Sequence, residues 1–458
     1  MAISLRVLLL LCLASACGFP RPADVLSDGE IACTANQFVA CDGTVLYTCN
    51  ATGDGTTTQD CGASGCNADA KRCNQCTPNA DSCGVGPNEL DHCGPDGLPA
   101  GSDTCALACT AAPTPHCPYL EPRYLPDVCD AVATMSDFTV SNAANFDTGL
   151  DSGCNGGVIR QDGGPEICIV RYASIHITST GTLIARGARA LALVADNALR
   201  IEGVLDVSGH LAGFGPGGST VTSGDAAGSN GGGGAGFATA GGAGGSPTTD
   251  GGGGLAGGKA TDPSLVTVLV GGTRPTPGPN IGPIVGEGGG AATLIACRGA
   301  VLITGTIDAG GTGGGGGKSG LIAGSVFAGA GGGSGGNVVL QGVSIVVTGQ
   351  VFANGGGGGA GATAQAQQGP AGTDGTRSAT EAATGGAATG GGGAGGAGGR
   401  QGASPTVGLH PTSAGATPGG GGGSMGFFQT YTPMDVLPTL TPSAASPTFG
   451  TNKRIQTR

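Results

Sequence analysis

The chain has 458 residues, of which 99 are Gly and 18 are Cys, and it contains 11 Phe, 5 Tyr and no Trp. Because aromatic residues normally supply much of the buried area of a protein, a core here must be built from stacked Val, Ile, Leu and Ala. The formal net charge of −12 argues against a nucleic-acid partner, since binding to the phosphate backbone requires clustered Lys and Arg.

The N-terminal residues have the features of an export signal. One basic residue, Arg6, precedes an apolar run from Val7 to Leu13, and small residues follow up to Cys17. This run is too short to span a membrane, so we predict a signal peptide over residues 1–16. The small residues that end in Cys17 resemble the lipobox of bacterial lipoproteins, although the third position before the cysteine holds Ala14 instead of the usual Leu.

The lipobox resemblance implies that Cys17 is lipidated after export and that residues 17–32 form a polar tether behind it. The predicted location is then the outer membrane or the cell surface, with the N-terminal lipid as the membrane contact. Cleavage at the same bond as an ordinary signal leaves the alternative of a soluble secreted protein.

A cysteine-dense segment covers residues 33–129. Behind an export signal it predicts a small disulfide-rich module, because segments with little apolar core need covalent closure. The spacing of Cys73 and Cys76 also fits half of a zinc site, but His92 and His116 lie at no matching interval. The candidates for disulfide bonds are Cys33, Cys41, Cys49, Cys61, Cys66, Cys73, Cys76, Cys83, Cys93, Cys105, Cys109, Cys117, Cys129, Cys154 and Cys168.

Residues 33–76 resemble a cysteine-rich module of predicted exported proteins of Gram-negative bacteria. The resemblance carries no active residue, and it implies a compact spacer. Apolar residues at Phe38-Val39 and Val45-Leu46-Tyr47 alternate with turn residues, which predicts short hairpins joined by disulfides.

The parity of the cysteines gives one further inference. Removal of Cys12 with the signal leaves an odd number, and lipidation of Cys17 makes the remainder even. The cysteines of residues 33–129 are themselves odd in number, so one of them pairs outside this segment or stays free. The partners available there are Cys154, Cys168 and Cys297, and a free, buried Cys297 is an open alternative.

Internal repeats follow the cysteine-rich segment. Residues 190–209, 292–311 and 336–355 align with one another without gaps. A looser copy covers residues 174–187, and residues 424–433 are a candidate for a final strand. Repeats of this kind indicate a stacked architecture in which each copy covers its neighbour.

Apolar residues of one parity recur at matching positions in the three copies, which predicts strands with one buried face. Glycine recurs between the two strands of each copy, where it indicates a bend or a close approach of two backbones. These glycines are Gly203, Gly305 and Gly349. The apolar positions are Leu199, Ile201, Leu205 and Val207, then Val301, Ile303, Ile307 and Ala309, then Ile345, Val347, Val351 and Ala353.

Two short strands joined by a glycine bend suit one turn of a right-handed β-helix. Residues 130–433 resemble the glycine-rich β-helical surface proteins of bacteria and, more distantly, the pectate-lyase-like β-helices. The predicted fold class is therefore mainly β: an irregular, solenoid-like right-handed β-helix with long glycine-rich inserts, preceded by the small disulfide-rich module. Residues 434–458 are predicted to form a C-terminal tail.

Glycine-rich tracts at roughly 211–290, 310–336 and 355–423 separate the copies. Low complexity of this kind is typical of flexible linkers. The tracts carry Ala, however, where a solubilising linker would carry charge. The second interpretation is a set of extended strands with three residues per turn, packed side by side, since only glycine lets backbones approach so closely.

The segment Gly317-Lys318-Ser319 resembles part of a phosphate-binding loop. That motif requires a glycine five places before Gly317, where this chain has Thr312. The residues that follow are too rich in glycine to form the helix that would hold the phosphate. We therefore predict no nucleotide partner and a solvated Lys318.

No catalytic motif emerges from the sequence, and no cofactor is predicted. The best enzymatic alternative is a polysaccharide lyase-like, carbohydrate-active enzyme in which Asp206, Asp308 and Glu202 hold Ca²⁺. Calcium takes six to eight oxygen ligands, and this strand face offers too few of them. The third copy has Phe352 where an Asp would belong.

The predicted function is that of a non-catalytic, structural or adhesive protein of the cell surface, in contact with an extracellular polymer or another cell. A soluble secreted carbohydrate-binding module is the remaining alternative. Against it, the sequence lacks the exposed Trp and Tyr platforms that stack on sugar rings.

Overall fold

The computed structural model describes residues 33–130, 136–209, 213–218, 222, 229–248, 254–261, 266–276, 284–318, 326–365 and 367–458. The chain divides into two compact units, one ending at Cys117 and the other running from Pro118 to Arg458. As predicted, the protein is mainly β. Within the described ranges, the only helices are two 3₁₀ turns at Gly62–Ser64 and Asp151–Gly153.

Three small antiparallel sheets form the first unit, which confirms the predicted hairpins. Their order is β1-β2-β3, β4-β5 and β6-β7-β8. The strands are β1 Phe38–Asp42, β2 Val45–Cys49, β3 Thr56–Asp60, β4 Cys66–Asn67, β5 Arg72–Cys73, β6 Asp81–Cys83, β7 Glu89–Cys93 and β8 Pro99–Thr104.

Six disulfide bonds in the first unit fall into two sets with one connectivity. In each set the first cysteine pairs with the third, the second with the fifth and the fourth with the sixth. The sequence separations are 16, 25 and 12 in the first set and 17, 26 and 12 in the second. The unit is therefore an internal duplication, of which the resemblance over residues 33–76 covers the first copy. The bonds are Cys33–Cys49, Cys41–Cys66, Cys61–Cys73, Cys76–Cys93, Cys83–Cys109 and Cys105–Cys117.

Nineteen strands lie in the described part of the second unit. They are β9 Leu120–Glu121, β10 Phe138–Val140, β11 Ala143–Asp147, β12 Gly157–Ile159, β13 Ile167–Tyr172, β14 Ile175–Ile177, β15 Thr182–Arg186, β16 Ala190–Ala195, β17 Leu199–Ile201, β18 Val204–Asp206, β19 Ala291–Ile303, β20 Thr306–Asp308, β21 Asn337–Val347, β22 Gln350–Phe352, β23 Phe427–Thr432, β24 Thr439–Leu440, β25 Ala444–Ser446, β26 Lys453–Arg454 and β27 Gln456–Thr457.

Three parallel ladders run through this unit, and the chain visits them in turn. The first ladder contains β13, β16, the first halves of β19 and β21, β23 and β26, with β12 antiparallel at its edge. The second contains β10, β14, β17, the second halves of β19 and β21, and β24. The third contains β11, β15, β18, β20, β22 and β25. Each repeat thus supplies one strand to each ladder.

The core between the ladders is made of the predicted apolar positions. All twelve side chains that were matched across the three copies are at most 1% exposed. In the second ladder Leu199 pairs with Val301, which pairs with Ile345, as the alignment predicts. The predicted buried face is confirmed. The opposite face is exposed or half-buried in the second ladder, as at Arg200 and Leu302, but it is also buried in the third ladder, at Asp206, Asp308 and Phe352.

The gap-free alignment is wrong for the first ladder. There Leu191 pairs with Ala292 and not with Thr293, and Ala292 pairs with Val338. The copies use different numbers of residues at the corner between the first and second ladders, and β19 carries a register shift there. Since a shift of one residue exchanges the two faces of a strand, only this register points all three apolar side chains into the core.

The recurrent glycines mark a close approach of backbones, as predicted. A Cβ atom on Gly305 would lie 2.0 Å from the carbonyl oxygen of Gly203, and one on Gly349 would lie 2.0 Å from that of Gly305. These glycines form a column at the corner between the second and third ladders.

Residues 434–458 do not end the fold as a separate tail. They supply β24, β25 and β26, which pair in parallel with β21, β22 and β23. The last strand, β27, pairs antiparallel with β9. The C-terminal segment therefore adds one more turn to the ladders.

Two disulfide bonds lie in the second unit, Cys154–Cys168 and Cys129–Cys297. The latter joins positions 168 residues apart. It confirms that one cysteine of residues 33–129 pairs outside that segment. The alternative of a free Cys297 is wrong.

The described parts of the glycine tracts form a hydrogen-bonded bundle. Six consecutive amides of residues 419–424 donate to three neighbouring segments and return to the same neighbour at every third residue. Three residues per turn is the period of a polyproline-II-type helix, whose backbone polar groups point outward. The donor and acceptor pairs are Gly419 with Leu409 and Gly422 with Thr406, Gly420 with Gly359 and Gly423 with Gly356, and Gly421 with Gly232 and Ser424 with Ala235.

Residues 354–362 show that such a segment is enclosed on all sides. Their amides donate to residues 330–333, 370–373 and 393–399, and their carbonyls accept from residues 311–317, 386 and 417–423. Of the two interpretations of the tracts, the side-by-side packing of three-residue-per-turn strands is confirmed for the described residues, and the flexible linker is wrong there.

Glycine is required in this bundle because neighbouring backbones leave no space for a side chain. A Cβ atom on Gly420 would lie 2.0 Å from the carbonyl oxygen of Ala330, and one on Gly332 would lie 2.2 Å from that of Gly356. The hydrogen bonds formed at this spacing offset the large conformational entropy that glycine loses on ordering.

We expect Gly420→Ala to lower the free energy of unfolding by about 1–3 kcal/mol or more, because the bundle must open to admit the methyl group. Gly213→Ala is the matched control, since a Cβ atom there meets nothing within 4 Å. Urea unfolding of both variants provides the measurement. Equal midpoints for the two would contradict the packing described.

The two disulfide bonds of the second unit close loops of very different length, so their removal tests the chain-entropy contribution. The double variant Cys129→Ala with Cys297→Ala should lose about 5 kcal/mol, and Cys154→Ala with Cys168→Ala about 3 kcal/mol. Unfolding under non-reducing conditions measures both. A smaller loss for the long loop than for the short one would contradict the expectation.

Candidate functional site

The acidic pair predicted from the repeat lies side by side in the third ladder. Asp206 and Asp308 occupy paired positions of β18 and β20, and each is 4% exposed. Arg377, from the third glycine tract, lies between them. Its Nη2 is 3.1 Å from Asp206 Oδ2, and its Nε is 2.6 Å from Asp308 Oδ2.

Further donors surround both carboxylates. Arg186 and Ser208 donate to Asp206 Oδ1 at 3.0 Å and 2.7 Å. The amide of Gly310 donates to Asp308 Oδ1 at 2.9 Å. Burial raises the pKa of Asp308 above its ordinary value, although Arg377 opposes this shift. The cluster joins the third tract to the ladder through compensated charges.

The third residue of the calcium alternative, Glu202, has different partners. Its Oε2 lies 3.1 Å from His176 Nε2 and its Oε1 lies 3.4 Å from Arg200 Nη2. In the part of the chain that the structure describes, no group of three or more His, Cys, Asp or Glu side chains is placed to hold a metal ion.

The segment that resembles a phosphate loop is part of the glycine bundle. The amides of Gly314 and Gly317 donate to the carbonyls of Gly357 and Ala360. Lys318 exchanges two backbone hydrogen bonds with Phe327. The amides that would cradle a phosphate are thus used to hold neighbouring tracts together.

His92 of the first unit forms a contact that sequence reasoning missed. Its Nδ1 lies 2.8 Å from Asp81 Oδ1, and its Nε2 lies 3.1 Å from Asp103 Oδ2. The hydrogen bond to Asp81, followed by that to Asp103, raises the pKa of His92. Because β6, β7 and β8 are adjacent, the imidazole cross-links all three strands of its sheet.

A cavity of about 300 Å³ on the outward side of β21 and β23 was not predicted from the sequence. Five aromatic side chains line it, in a chain with 11 Phe and 5 Tyr. Phe427, Phe428 and Tyr431 are at most 9% exposed, whereas Tyr124 and Phe449 are half-buried. Its volume is at the lower end of the range of small-ligand sites.

Polar groups converge on the same cavity. Asn337, Gln401, Gln429, Thr448 and Lys453 line it. Asn337 is 4% exposed, and no described residue forms a hydrogen bond with its side-chain amide. The amide of Thr448 donates to Gln401 Oε1 at 3.1 Å. An apolar wall with a few placed polar groups is typical of ligand sites.

Uncharged groups and two basic side chains set the electrostatics of the cavity: Lys453 lines it, and the guanidinium of Arg123 lies 5.7 Å from the centre of the Tyr124 ring. Burial raises the pKa of Tyr124 to about 12 and also raises the pKa of Tyr431, so both hydroxyls stay protonated at neutral pH. Lys453 lies 5.9 Å from the centre of the Tyr431 ring. No carboxylate is found among the described residues of the lining.

The predicted lipidation site, Cys17, lies outside the described residues, as do the predicted signal peptide and tether. Within the ranges that the structure covers, no helix is long and apolar enough to cross a membrane. All fifteen predicted disulfide cysteines are paired, and Cys297 completes the eighth bond.

Comparison with protein-family models, curated proteins and solved structures found no match for the chain.

We expect Arg377→Met to lower the free energy of unfolding by about 2–3 kcal/mol. This is less than for a fully buried partner, because the Arg377 side chain is 44% exposed. The pKa of Asp308 is raised in the folded protein. Such a group lowers the stability of the fold as the pH rises from the ordinary pKa through the raised value. The loss should therefore be larger at neutral pH than in mild acid.

Urea unfolding at both pH values measures this effect. Arg160→Met is the control, since Arg160 is 90% exposed and pairs with Glu166 at 3.2 Å. An Arg377→Met loss that does not exceed the control, or that grows in acid, would show that the arginine does not compensate the two carboxylates.

Proposed function

We propose that the protein is an exported, non-catalytic lipoprotein of the cell surface with a structural or adhesive role. The observation that carries the proposal is the complete pairing of the sixteen cysteines from Cys33 onward. Eight disulfides are consistent with an oxidising, extracellular location. Once Cys12 is removed with the signal, Cys17 is the thiol left over for a lipid.

The glycine bundle supports a structural role. Its backbone amides and carbonyls are used in bonds between segments, as in residues 354–362 and 419–424. Such a body holds its shape through many short backbone contacts and through covalent cross-links. A surface protein that must present a binding site away from a membrane benefits from both.

We further propose that the three ladders coil as a right-handed β-helix, distantly related to the pectate-lyase-like fold. The path from β13 through β14 and β15 to β16 returns to the same sheet in parallel. Connections between parallel strands of one sheet are right-handed in nearly all cases. The enzymatic alternative on this fold is disfavoured because Asp206 and Asp308 already share Arg377.

Metabolic labelling with palmitate tests the anchor. We expect the label in the wild type and in Cys12→Ala, whose substitution lies in the signal, and we expect its loss in Cys17→Ala. Protease treatment of intact cells should remove the protein if it is displayed outside. Palmitate label that persists in Cys17→Ala would refute lipidation at Cys17.

A further inference from the structure

The side-chain amide of Asn337 indicates that the cavity beside β21 and β23 holds a ligand. Asn337 is 4% exposed and lies on the outward side of β21, where it pairs with Phe427 of β23. Among the described residues, nothing donates to or accepts from its side chain. Its amide nitrogen and oxygen are not among the fully buried polar atoms that lack a partner, so they face the cavity, where water or a ligand forms their hydrogen bonds. A ligand that both donates and accepts would satisfy it.

The walls of the cavity select the shape and polarity of that ligand. The half-buried rings of Tyr124 and Phe449 offer apolar surfaces, while Gln401 and Thr448 lie at polar positions of the lining. Tyr hydroxyls and side-chain amides donate and accept hydrogen bonds without carrying charge. A purely apolar ligand would leave Asn337 unpaired.

The charges around the cavity exclude strongly charged ligands. Lys453 repels a cation, and the described lining offers no carboxylate to attract one. Lys453 over the Tyr431 ring and the exposed Arg123 beside the Tyr124 ring are solvent-screened counter-charges for an anion, in a protein of net charge −12. The ligand that remains has an apolar face, several hydroxyls and no net charge.

We infer that this cavity binds a neutral sugar ring, with the ring faces against Tyr124 and Phe449 and a pair of hydroxyls on the Asn337 amide. The inference rests on the proposed adhesive role and gives it a ligand class. The ring belongs either to a free sugar or to the end of an extracellular polysaccharide. Both sources present the same chemistry to the cavity.

Binding can be measured by the fluorescence of one introduced tryptophan, because the chain has no Trp of its own. Phe449→Trp keeps an aromatic wall and places the only indole in the cavity. We expect its emission to change saturably with at least one of the methyl glycosides of glucose, galactose, mannose and N-acetylglucosamine. Phe138→Trp, beside Tyr172 on β10 and outside the cavity lining, should not respond.

Two variants in the Phe449→Trp background assign the binding to the cavity. Asn337→Leu should weaken sugar binding about tenfold or more, because one or two hydrogen bonds are lost. Asn145→Leu, at an exposed position of β11, is its control. Thr448→Arg, at an exposed position of the lining, should abolish binding even if Asn337→Leu folds poorly. Thr439→Arg, exposed on β24 and outside the lining, is its control.

The same assay decides between the sources and can overturn the inference. Binding to immobilised dextran or mannan as well as to glycosides indicates a polysaccharide end, and binding to glycosides alone indicates a free sugar. No response to any neutral probe, an unaltered response in Thr448→Arg, or a preference for glucosamine or a glucuronide would refute a neutral-sugar site. Because the purified chain is used, this failure is separate from a failure of palmitate labelling.

Discussion

The second unit depends on one constraint: backbones in the glycine bundle approach so closely that a Cβ atom would lie about 2 Å from a neighbouring carbonyl oxygen, as at Gly420. This spacing allows an extended segment to bond with neighbours on every side, which a pleated strand with side chains cannot do. The bundle is stabilised by many backbone hydrogen bonds in place of buried apolar area. A protein poor in large side chains can therefore order most of a long chain.

Close backbone spacing occurs in both the ladders and the bundle, but the two parts are stabilised in different ways. In the ladders, Val, Ile and Leu fill a core that the side-chain alternation encloses, while the glycine column at Gly203, Gly305 and Gly349 keeps the corner tight. The glycine tracts follow three strands of the third ladder, β18, β20 and β22. Arg377 reaches back from the bundle to Asp206 and Asp308, so the insert and the ladder fix one another's position.

Much of this architecture was predictable from the sequence, and the reasons for the rest are physical. Periodicity identified the strands, and the alignment of the repeats identified the pairing of Asp206 with Asp308, because stacked copies place equivalent residues side by side. It failed at Leu191, because the length of a corner is not encoded in alternation. The partner Arg377 and the cavity could not be predicted, since their residues come from segments far apart in the sequence. The duplication of the first unit was visible in its cysteine spacings once both copies were compared.

The same constraint explains where a ligand cavity can form. A bundle of closely spaced glycine backbones has little room for an aromatic ring, and the inward side of the narrow ladders is filled mainly by aliphatic residues, with Phe428 at one end. Aromatic side chains therefore gather at borders, where Phe427 of β23 packs against Phe237 of a glycine tract with ring centres 4.6 Å apart. Where two such dissimilar surfaces meet, their spacings cannot match everywhere, and a gap remains. Asn337, buried at the edge of that gap, keeps it polar enough to hold a hydroxylated ligand.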